Sequence, residues 1–342
     1  MVKTNGVVAA PFFYTFVNML KHFTDRAVID GINTTVDEAL ELNNRYSTAE
    51  LSEAADMIRL KWCGNAIHTC SIVNARSGRC SENCKWCAQA ACHHTGVKEY
   101  DRISEAEVKR AYTLNEKRGA TCFSMVTSGR KVSSRDINYF CDIYRGLARQ
   151  GGVELCASMG LLSREQLLKL WDAGVRKFHC NLETSPDYFP NLCTTHTVAD
   201  KLETIRTARE IGFTICCGGI IGMGETMRDR LEMANLAREA GASSIPVNIL
   251  QPIPNTPLEH VEPISEDEIR CSVALMRFMA PKCTLHFAGG RARISRQATT
   301  NILRGGMNGA LIGDMLTTVG NDVAEDFRLF ENAGYVNPGS KP

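Results

Sequence analysis

Three cysteines close together carry the clearest chemical signal in the sequence. Cys80, Cys84 and Cys87 have the spacing Cys-x3-Cys-x2-Cys. Three thiolates on one short loop can bind three irons of a [4Fe–4S] cluster and leave the fourth iron open, where the amino and carboxylate groups of S-adenosylmethionine (SAM) can chelate. The triplet therefore predicts a catalytic cluster that binds SAM. The alternative is a zinc site completed by a nearby side chain: Cys92, His93 or His94.

Two further residues and one glycine-rich segment would suit a bound SAM molecule. Trp86 offers an aromatic surface for an adenine ring, or it is a core aromatic. Glu183 could accept hydrogen bonds from ribose hydroxyls, although such an acid could equally cap a helix. Residues 217–225 (CGGIIGMGE) have little side-chain bulk. The backbone of this segment could therefore approach a methionyl group closely.

The bulk composition limits the partners and the compartment. The formal net charge is +1 and no run of five like charges occurs, so neither nucleic acid nor an anionic membrane has an electrostatic footprint. Hydrophobic residues make up 44% and charged residues 23%, as in a globular protein with a large core. Fifteen cysteines in 342 residues are unusual. In a reducing compartment they would be metal ligands, catalytic groups or buried thiols, so we expect a cytoplasmic protein.

An apolar segment at residues 7–20 resembles a targeting signal at first sight. Its only preceding charge is Lys3, Pro11 and Asn18 interrupt it, and no A-x-A cleavage site follows. We expect a packed or frayed N-terminal segment instead. No other stretch approaches the roughly 18 apolar residues of a membrane span, so we expect no membrane partner.

From about residue 65 onward, short apolar segments alternate with amphipathic ones. The predicted strands are residues 68–74, 121–127, 153–158, 177–182, 214–219, 244–249, 284–288 and 309–313. The predicted helices begin at capping boxes: Ser104 with Glu107, Ser163 with Gln166 and Ser265 with Glu268. Several helices are predicted to stop at a glycine: Gly119, Gly174, Gly212 and Gly241. The alternation predicts an α/β fold, a (β/α)8 TIM-type barrel; an open doubly wound sheet is the alternative.

The residues with unusual chemistry fall where such a barrel would use them. In a parallel barrel, active sites lie at the carboxyl ends of the strands. The cysteine triplet follows the first predicted strand, Asn181 and Glu183 end the fourth, and the glycine-rich segment ends the fifth. We expect residues 46–325 to form the barrel. Residues 1–45 would then be an N-terminal extension, and residues 326–342 a short helix and a tail.

Six stretches of the sequence together resemble biotin synthase, a family of the radical SAM superfamily. They are residues 71–89 (SIVNARSGRCSENCKWCAQ), 178–185 (FHCNLETS), 191–197 (NLCTTHT), 215–226 (ICCGGIIGMGET), 244–250 (SIPVNIL) and 316–321 (LTTVGN). They occur in order across roughly residues 50–335, which is most of the chain. No single stretch is decisive, but six in sequence are specific.

The resemblance implies a sulfurtransferase that converts dethiobiotin to biotin by inserting sulfur between two unactivated carbons. In the family, a reduced [4Fe–4S] cluster donates an electron to SAM, which yields methionine and a 5′-deoxyadenosyl radical. The radical removes hydrogen from the substrate, and the carbon radical attacks a sulfide of an auxiliary cluster; a second SAM closes the ring. A barrel can position such a radical and exclude solvent. The resemblance also implies a low-potential electron donor (flavodoxin or ferredoxin) and a homodimer.

The resemblance assigns roles to residues of this sequence. The positions around SAM in the family match Trp86, Asn181, Glu183, Lys201 and Ile220. Asn181 and Asn248 match the positions that hydrogen-bond the ureido ring of dethiobiotin. An asparagine suits a cyclic urea because its amide offers both a donor and an acceptor. For Asn248 the alternative is a cap at the end of a strand.

The sequence departs from the family at the auxiliary cluster. The family holds a [2Fe–2S] cluster with three cysteines and one arginine, and the matching positions here are Ser124, Cys156, Cys216 and His286. Two of the four ligands are therefore changed. Either the chain keeps a [2Fe–2S] site with Ser and His ligands, or it builds a different cluster, or it has lost sulfur insertion.

Cys180 stands where the family usually has histidine, on the predicted strand between those of Cys156 and Cys216. These three thiolates would suit a four-iron cluster with an extra sulfide, as in a biotin synthase sub-type associated with anaerobes. Strict alternation turns Cys180 away from Asn181, so the strand end must twist or bulge. Three cysteines are reserve ligands, for which a buried thiol is the alternative: Cys122, Cys193 and Cys217. The remaining cysteines and three histidines are predicted to be structural or incidental: Cys63, Cys70, Cys92, Cys141, Cys271, Cys283, His68, His196 and His260.

Three other functions compete with this interpretation. Another radical SAM enzyme of the same subgroup, such as a hydrogenase maturase or methylornithine synthase, would share the barrel and the triplet. Lipoyl synthase is excluded because it needs a second triplet near the N-terminus, where the first cysteine here is Cys63. A non-catalytic iron–sulfur carrier would have no use for a complete set of SAM-binding residues, and production of 5′-deoxyadenosine distinguishes it from an enzyme.

Overall fold

The computed structural model describes residues 19–317 and 322–339 of the chain. Some predictions lie partly outside these residues. The apolar segment 7–20 and the N-terminal extension 1–45 are described only from residue 19. The 316–321 stretch is described to residue 317, and the predicted C-terminal tail to residue 339.

Parallel strands form a closed barrel at the centre of the described residues. They are β1 (His68–Arg76), β2 (Cys122–Thr127), β3 (Glu154–Ser158), β4 (Lys177–His179), β5 (Thr214–Cys216), β6 (Gly219–Ile221), β7 (Ala242–Ile249), β8 (Thr284–Phe287) and β9 (Gly309–Leu311). Their order is β5-β4-β3-β2-β1-β9-β8-β7-β6, and pairing of β5 with β7 closes the ring. Because β5 and β6 are halves of one strand position, the barrel has eight positions. The predicted eight-fold barrel is confirmed and the open sheet is excluded.

Helices surround the barrel. They are α1 (Met19–Asp25), α2 (Val36–Arg45), α3 (Thr48–Cys63), α4 (Glu105–Lys117), α5 (Ser134–Gln150), α6 (Arg164–Asp172), α7 (Val198–Ile211), α8 (Met227–Glu239), α9 (Glu266–Met279), α10 (Arg296–Leu303) and α11 (Val323–Asn332). The capping boxes at Ser104 and Ser163 form as predicted. The one at Ser265 is only half formed, because the Glu268 carboxylate accepts a hydrogen bond from Arg230 instead (2.7 Å).

The two faces of the barrel wall have opposite character. Side chains that point outward, such as Phe123 and Phe178, join an apolar cluster between the strands and the helices. Many side chains that point inward carry thiols, imidazoles or hydroxyls, and they line a cavity instead of filling the barrel with hydrocarbon. The alternation of a strand produces this division, since successive side chains face opposite sides. The fold therefore places its polar chemistry inside the barrel.

The described part of the N-terminal extension packs on the outside of the barrel. Helix α1 continues into a π-helical turn (Arg26–Asp30), where the indole Nε1 of Trp62 donates a hydrogen bond to the Ala27 carbonyl (2.8 Å). Phe23 and Leu42 are buried in the main apolar cluster. The predicted boundaries at residues 45 and 325 remain predictions; helix α11 begins at Val323. Among the described residues, no helix has the length and apolar character needed to cross a membrane.

Candidate active site

One cavity of about 480 Å³ opens at the carboxyl ends of the strands and extends into the barrel. Its outer part is lined by the cysteine triplet, which lies on the loop after β1. Its inner part is lined by residues of β1 to β5 and of β7 to β9. The cavity therefore connects the predicted SAM-binding cluster with the predicted auxiliary site.

The triplet loop is held by its own backbone. The Cys80 N–H donates to the Gln89 carbonyl (3.0 Å), and the Ala91 N–H donates to the Cys80 carbonyl (2.8 Å). The Cys87 N–H donates to the Cys84 carbonyl (3.0 Å), which forms a tight turn between these cysteines. Burial raises the pKa of the Cys87 thiol to about 11 and that of Cys84 further above its usual range. These thiols are protonated at neutral pH until a metal replaces the proton.

Two residues that the sequence did not assign to the triplet lie beside it. The Cys84 thiol is 3.7 Å from the Cys193 sulfur, and His196 Nδ1 is 3.4 Å from that same sulfur. Glu82, inside the triplet, reaches back to His196 Nδ1 (2.6 Å). Cys193 was predicted as a reserve ligand of the auxiliary cluster, and His196 as a structural residue. Both lie at the mouth of the barrel, beside Cys84. The only available signal was their place in the 191–197 stretch.

The predicted SAM-side residues line the same part of the cavity as the triplet: Trp86, Asn181, Glu183, Lys201 and Ile220. Lys201 Nζ donates a hydrogen bond to the Asn181 carbonyl (2.8 Å), and Asn181 Oδ1 accepts one from the Gly218 N–H (3.1 Å). Burial raises the pKa of the Glu183 carboxyl, although the Lys201 ammonium opposes the shift. These contacts fix the end of β4 against residues 217–218, which separate β5 from β6 and form the β5–β6 break.

The backbone at this break leaves no room for larger side chains. Glu183 adopts a left-handed conformation with φ of 77°, which is uncommon for a residue other than glycine. It pairs with Gly219, where a Cβ atom would lie 2.3 Å from the Glu183 carbonyl oxygen. A Cβ at Gly218 would lie 2.1 Å from the Pro246 carbonyl oxygen. Glycine is therefore required at both positions, as the predicted close approach of the backbone suggested.

A buried carboxylate, unassigned by the sequence, orders the glycine-rich turn. Glu225 accepts hydrogen bonds from the N–H groups of Gly222 (2.7 Å) and Met223 (2.6 Å), and from Arg230 Nε (2.6 Å). The Arg230 side chain is only 3% exposed. Charge-assisted bonds in this low-dielectric setting are strong, so Glu225 positions the turn that faces the triplet.

Asn248, on β7, lies between the two parts of the cavity. Its Oδ1 accepts a hydrogen bond from the Gly289 N–H (2.9 Å), and its Nδ2 donates one to the Gly219 carbonyl (3.1 Å). The amide thus bridges β6 and the loop after β8, and it is only half-buried against the cavity. The predicted strand-cap role and the predicted ligand role are compatible, since an amide has further donor and acceptor capacity.

The four family positions of the auxiliary site all line the inner cavity: Ser124, Cys156, Cys216 and His286. Ser124 pairs in register with Cys156, and His179 pairs with Cys216. His179 Nδ1 is 3.4 Å from the Cys216 sulfur. His286 Nε2 is buried and has no hydrogen-bond partner among the described residues. An imidazole nitrogen in that condition is available as a metal ligand.

Cys180 is not brought together with Cys156 and Cys216 by direct contact. It touches the cavity but packs with the apolar cluster, in which Cys217 is also buried. No hydrogen bond links the Cys180 thiol to Cys156 or Cys216 in the part of the chain that the structure describes. The short β4 ladder ends at His179, so that His179 and Asn181 line the cavity on either side of Cys180. Alternation along the strand therefore turns the Cys180 side chain away from those of His179 and Asn181, as the sequence predicted.

The donor sets fit the groups that the residues predict. Three thiols on one loop, with no fourth protein ligand fixed by sequence spacing, suit an iron–sulfur cluster with an open iron. Glycines whose Cβ atoms would meet backbone suit a ligand packed against a bare main chain. The inner thiols, with the unpartnered His286 nitrogen, suit a second iron–sulfur group deep in the cavity.

Comparisons with known proteins identify the relatives of this chain. The family model described as the Radical SAM superfamily matches residues 75–237, and the one described as the Biotin and Thiamin Synthesis associated domain matches residues 246–336. The biotin synthase of Parabacteroides distasonis is 48% identical over 90% of this chain and 94% of that protein. The biotin synthase of Clostridium botulinum (strain Loch Maree) is 43% identical over 93% of this chain and 99% of that protein.

Solved structures support the fold. Methylornithine synthase aligns with a TM-score of 0.79 at 18% identity, over 92% of this chain and 96% of that one. HydG, a maturase of the [FeFe]-hydrogenase, aligns with a TM-score of 0.78 at 18% identity, over 93% of this chain and 75% of that one. At these identities the likeness concerns the fold alone.

Proposed function

Because this chain belongs to the biotin synthase family, we propose that it converts dethiobiotin to biotin, with SAM as the radical source and sulfur from an auxiliary iron–sulfur cluster. The observation that carries this proposal is the single cavity that joins the triplet to the inner thiols of the barrel. A substrate in that cavity can meet both groups without leaving the protein. The maturase and methylornithine synthase functions have only a shared fold in their favour.

The outer part of the cavity is the proposed radical-generating site. Cys80, Cys84 and Cys87 would hold a [4Fe–4S] cluster, which when reduced supplies the electron that cleaves SAM. The proposed SAM contacts are those of the family positions: Trp86, Asn181, Glu183, Lys201 and Ile220. Glu183 would accept hydrogen bonds from the ribose hydroxyls, and Trp86 would pack against the adenine. The rigid β5–β6 break leaves space for the methionyl part.

The substrate is proposed to lie between the two parts of the cavity. Asn181 and Asn248 are placed on opposite sides of the β5–β6 break, with their carbonyl oxygens fixed by Gly218 and Gly289. Such fixed amides can offer both donors and acceptors to the ureido ring of dethiobiotin. Enclosure by the barrel keeps water away from the carbon radical.

The inner part of the cavity is the proposed auxiliary site. Cys156 and Cys216 are the proposed ligands there, with Cys180 as the third candidate from the sequence. The group is either a four-iron cluster with an extra sulfide or a [2Fe–2S] cluster. Ser124 and His286, at the altered family positions, line the same space. For the [2Fe–2S] alternative, the buried and unpartnered His286 nitrogen supports a role for this side chain as a ligand.

Partners and location follow from the same chemistry. We propose a low-potential flavodoxin or ferredoxin as electron donor, since cleavage of SAM needs a reduced cluster. A homodimer is proposed by family resemblance. A reducing, cytoplasmic location is supported by the fifteen cysteines, all of which are free thiols in the structure.

Anaerobic turnover tests the function. The protein, with its clusters reconstituted, is mixed with SAM, dithionite and dethiobiotin, and 5′-deoxyadenosine and biotin are counted by mass spectrometry. We expect both products, at about two deoxyadenosines per biotin because two hydrogen atoms are removed. Deoxyadenosine without biotin, from protein with both clusters intact, would contradict the proposed substrate. The absence of both would contradict the radical mechanism.

A further inference from the structure

Two thiols, those of Cys70 and Cys122, lie one inward-facing position deeper in the barrel than Ser124. In the β1–β2 ladder Cys70 is the register partner of Cys122, and Cys122 lies two residues before Ser124 on the same inward face of β2. On the next strand, Cys156 is the register partner of Ser124, one inward-facing position beyond Cys122. All three cysteines line the inner cavity. Three neighbouring strands therefore present their thiols to the same cavity.

Cys216 and His286 lie further around the barrel wall and line the same cavity. The Cys216 sulfur, on β5, lines the cavity with Cys156 and lies 3.4 Å from His179 Nδ1. On the other side, ligand atoms of His68, Cys70 and His286 all lie within 4.8 Å of one another. The unpartnered Nε2 of His286 belongs to this group. Four thiols and one imidazole thus line the same cavity.

A buried cation lies beside these thiols. Lys177, on β4, is the register partner of Cys156, and its side chain is only 7% exposed. Its Nζ pairs with Glu154 (2.6 Å), and Lys177 lines the same cavity as Cys70 and Cys122. Several thiolates confined in a low-dielectric interior repel one another, and a fixed ammonium reduces that cost. Because Glu154 pairs with the same ammonium, Lys177 offsets only part of the charge of several thiolates.

We propose that Cys70 and Cys122 are ligands of the auxiliary cluster, together with Cys156 and Cys216, and that His286 lies beside this set without binding iron. This assignment rests on the proposed function, because that function requires an auxiliary cluster. Four thiolates provide one outer ligand for each of four irons, so no iron is left for an extra sulfide and the inserted sulfur would be a core sulfide of the cluster. Ser124 is then not a ligand, because Cys122, two residues earlier on the same strand, supplies a thiolate in its place. Cys180, in contact with the apolar cluster, is the competing candidate.

The test uses full-length protein in which the triplet is replaced (C80A/C84A/C87A), so that bound iron reports only the auxiliary site. After anaerobic reconstitution, iron and acid-labile sulfide are counted per chain. We expect about four irons in this background, and a loss of at least about half of them when Cys70→Ser or Cys122→Ser is added. Ser124→Ala and Cys141→Ser, the latter a buried thiol on α5 outside the cavity, should leave the iron content unchanged.

The melting temperature of each apo variant serves as the folding control, and either thiol variant carries the test if the other fails it. Full iron content in both variants, with a loss on Cys180→Ala, would overturn the assignment.

A Mössbauer spectrum of the background protein needs no further substitution. A four-iron cluster is expected there, and a two-iron ferric cluster would overturn the four-iron assignment. Wild-type protein that binds this cluster but makes no biotin would instead contradict the proposed function and leave the ligands standing.

Discussion

The mouth of the barrel and its interior both concentrate thiols, but the two regions are built differently. At the mouth, three cysteines come from one loop whose backbone folds back on itself. In the interior, Cys70, Cys122, Cys156 and Cys216 come from four strands, and they line one cavity because the strand ladders turn them inward. A local motif defines the first site, whereas strand register defines the second.

This difference divides the proposed reaction into two separable parts. In the proposed function, loop residues would hold the radical source beside an ordered glycine-rich turn, where it would be open to the cavity. The proposed sulfur source would lie deeper in the same cavity. Damage at the mouth should therefore stop all chemistry, whereas damage in the interior should stop sulfur transfer and leave radical formation intact.

The largest effect is expected at the mouth. Cys84→Ala removes one of the three proposed cluster ligands, and we expect both 5′-deoxyadenosine and biotin to fall to the level measured without enzyme. Cys92→Ala, on the same loop but exposed, is the matched control and should retain activity. Deoxyadenosine formation by the Cys84 variant at the wild-type rate would show that the triplet does not hold the catalytic cluster.

Replacement of Cys216 should separate the two regions. Cys216→Ala removes an inner thiol, so we expect biotin to be lost while SAM is still cleaved to 5′-deoxyadenosine. Cys271→Ala, a buried thiol on α9, should change neither product. Products are counted by mass spectrometry over a single turnover. Loss of deoxyadenosine together with biotin, in a folded variant, would mean that the regions are not independent.

Asn248 lies between the two regions and should affect the substrate more than SAM. Asn248→Ala leaves the Gly289 N–H and the Gly219 carbonyl without their side-chain partner and removes the proposed ureido contact. We expect the KM for dethiobiotin to rise by about 10- to 100-fold, with little change in the KM for SAM. Asn235→Ala, on α8, controls for loss of an asparagine far from the cavity. An equal rise in both KM values would argue for a purely structural role.

The smallest effect is expected at the turn behind the mouth. Glu225→Gln puts an amide donor against the donors Gly222 N–H, Met223 N–H and Arg230. We expect SAM to bind about 3- to 10-fold more weakly, measured by calorimetry on the reconstituted protein. Glu239→Gln, near the end of the same helix that carries Arg230, should bind SAM normally. Unchanged SAM affinity in the Glu225 variant would show that the turn does not contact the ligand.

The fold was largely predictable because its signals are local. Strand–helix alternation and serine caps marked most elements, but the predicted fourth strand (177–182) was too long. Its ladder ends at His179, since the backbone must bend for Glu183 to pair with Gly219. The triplet was equally visible as a short spacing.

The interior was less predictable because no short spacing encodes it. Cys70 and His68 were predicted to be structural, but their alternate positions on β1 direct both toward His286. Only the register of β1 with β2 shows that Cys70 faces Cys122. His196 was predicted to be structural, and its contacts with Glu82 and Cys193 were not predictable because they depend on how two loops fold together.

Transfer of a hydrogen atom from dethiobiotin to 5′-deoxyadenosine is the most direct test that one cavity brings SAM and substrate together. Dethiobiotin that carries deuterium at the carbons that receive sulfur is incubated with the reduced, reconstituted protein and SAM. The account predicts deuterium in the 5′-deoxyadenosine, because the radical formed at the triplet must remove that atom directly. Formation of biotin with deoxyadenosine that contains no deuterium would contradict the claim that one cavity brings SAM and substrate together.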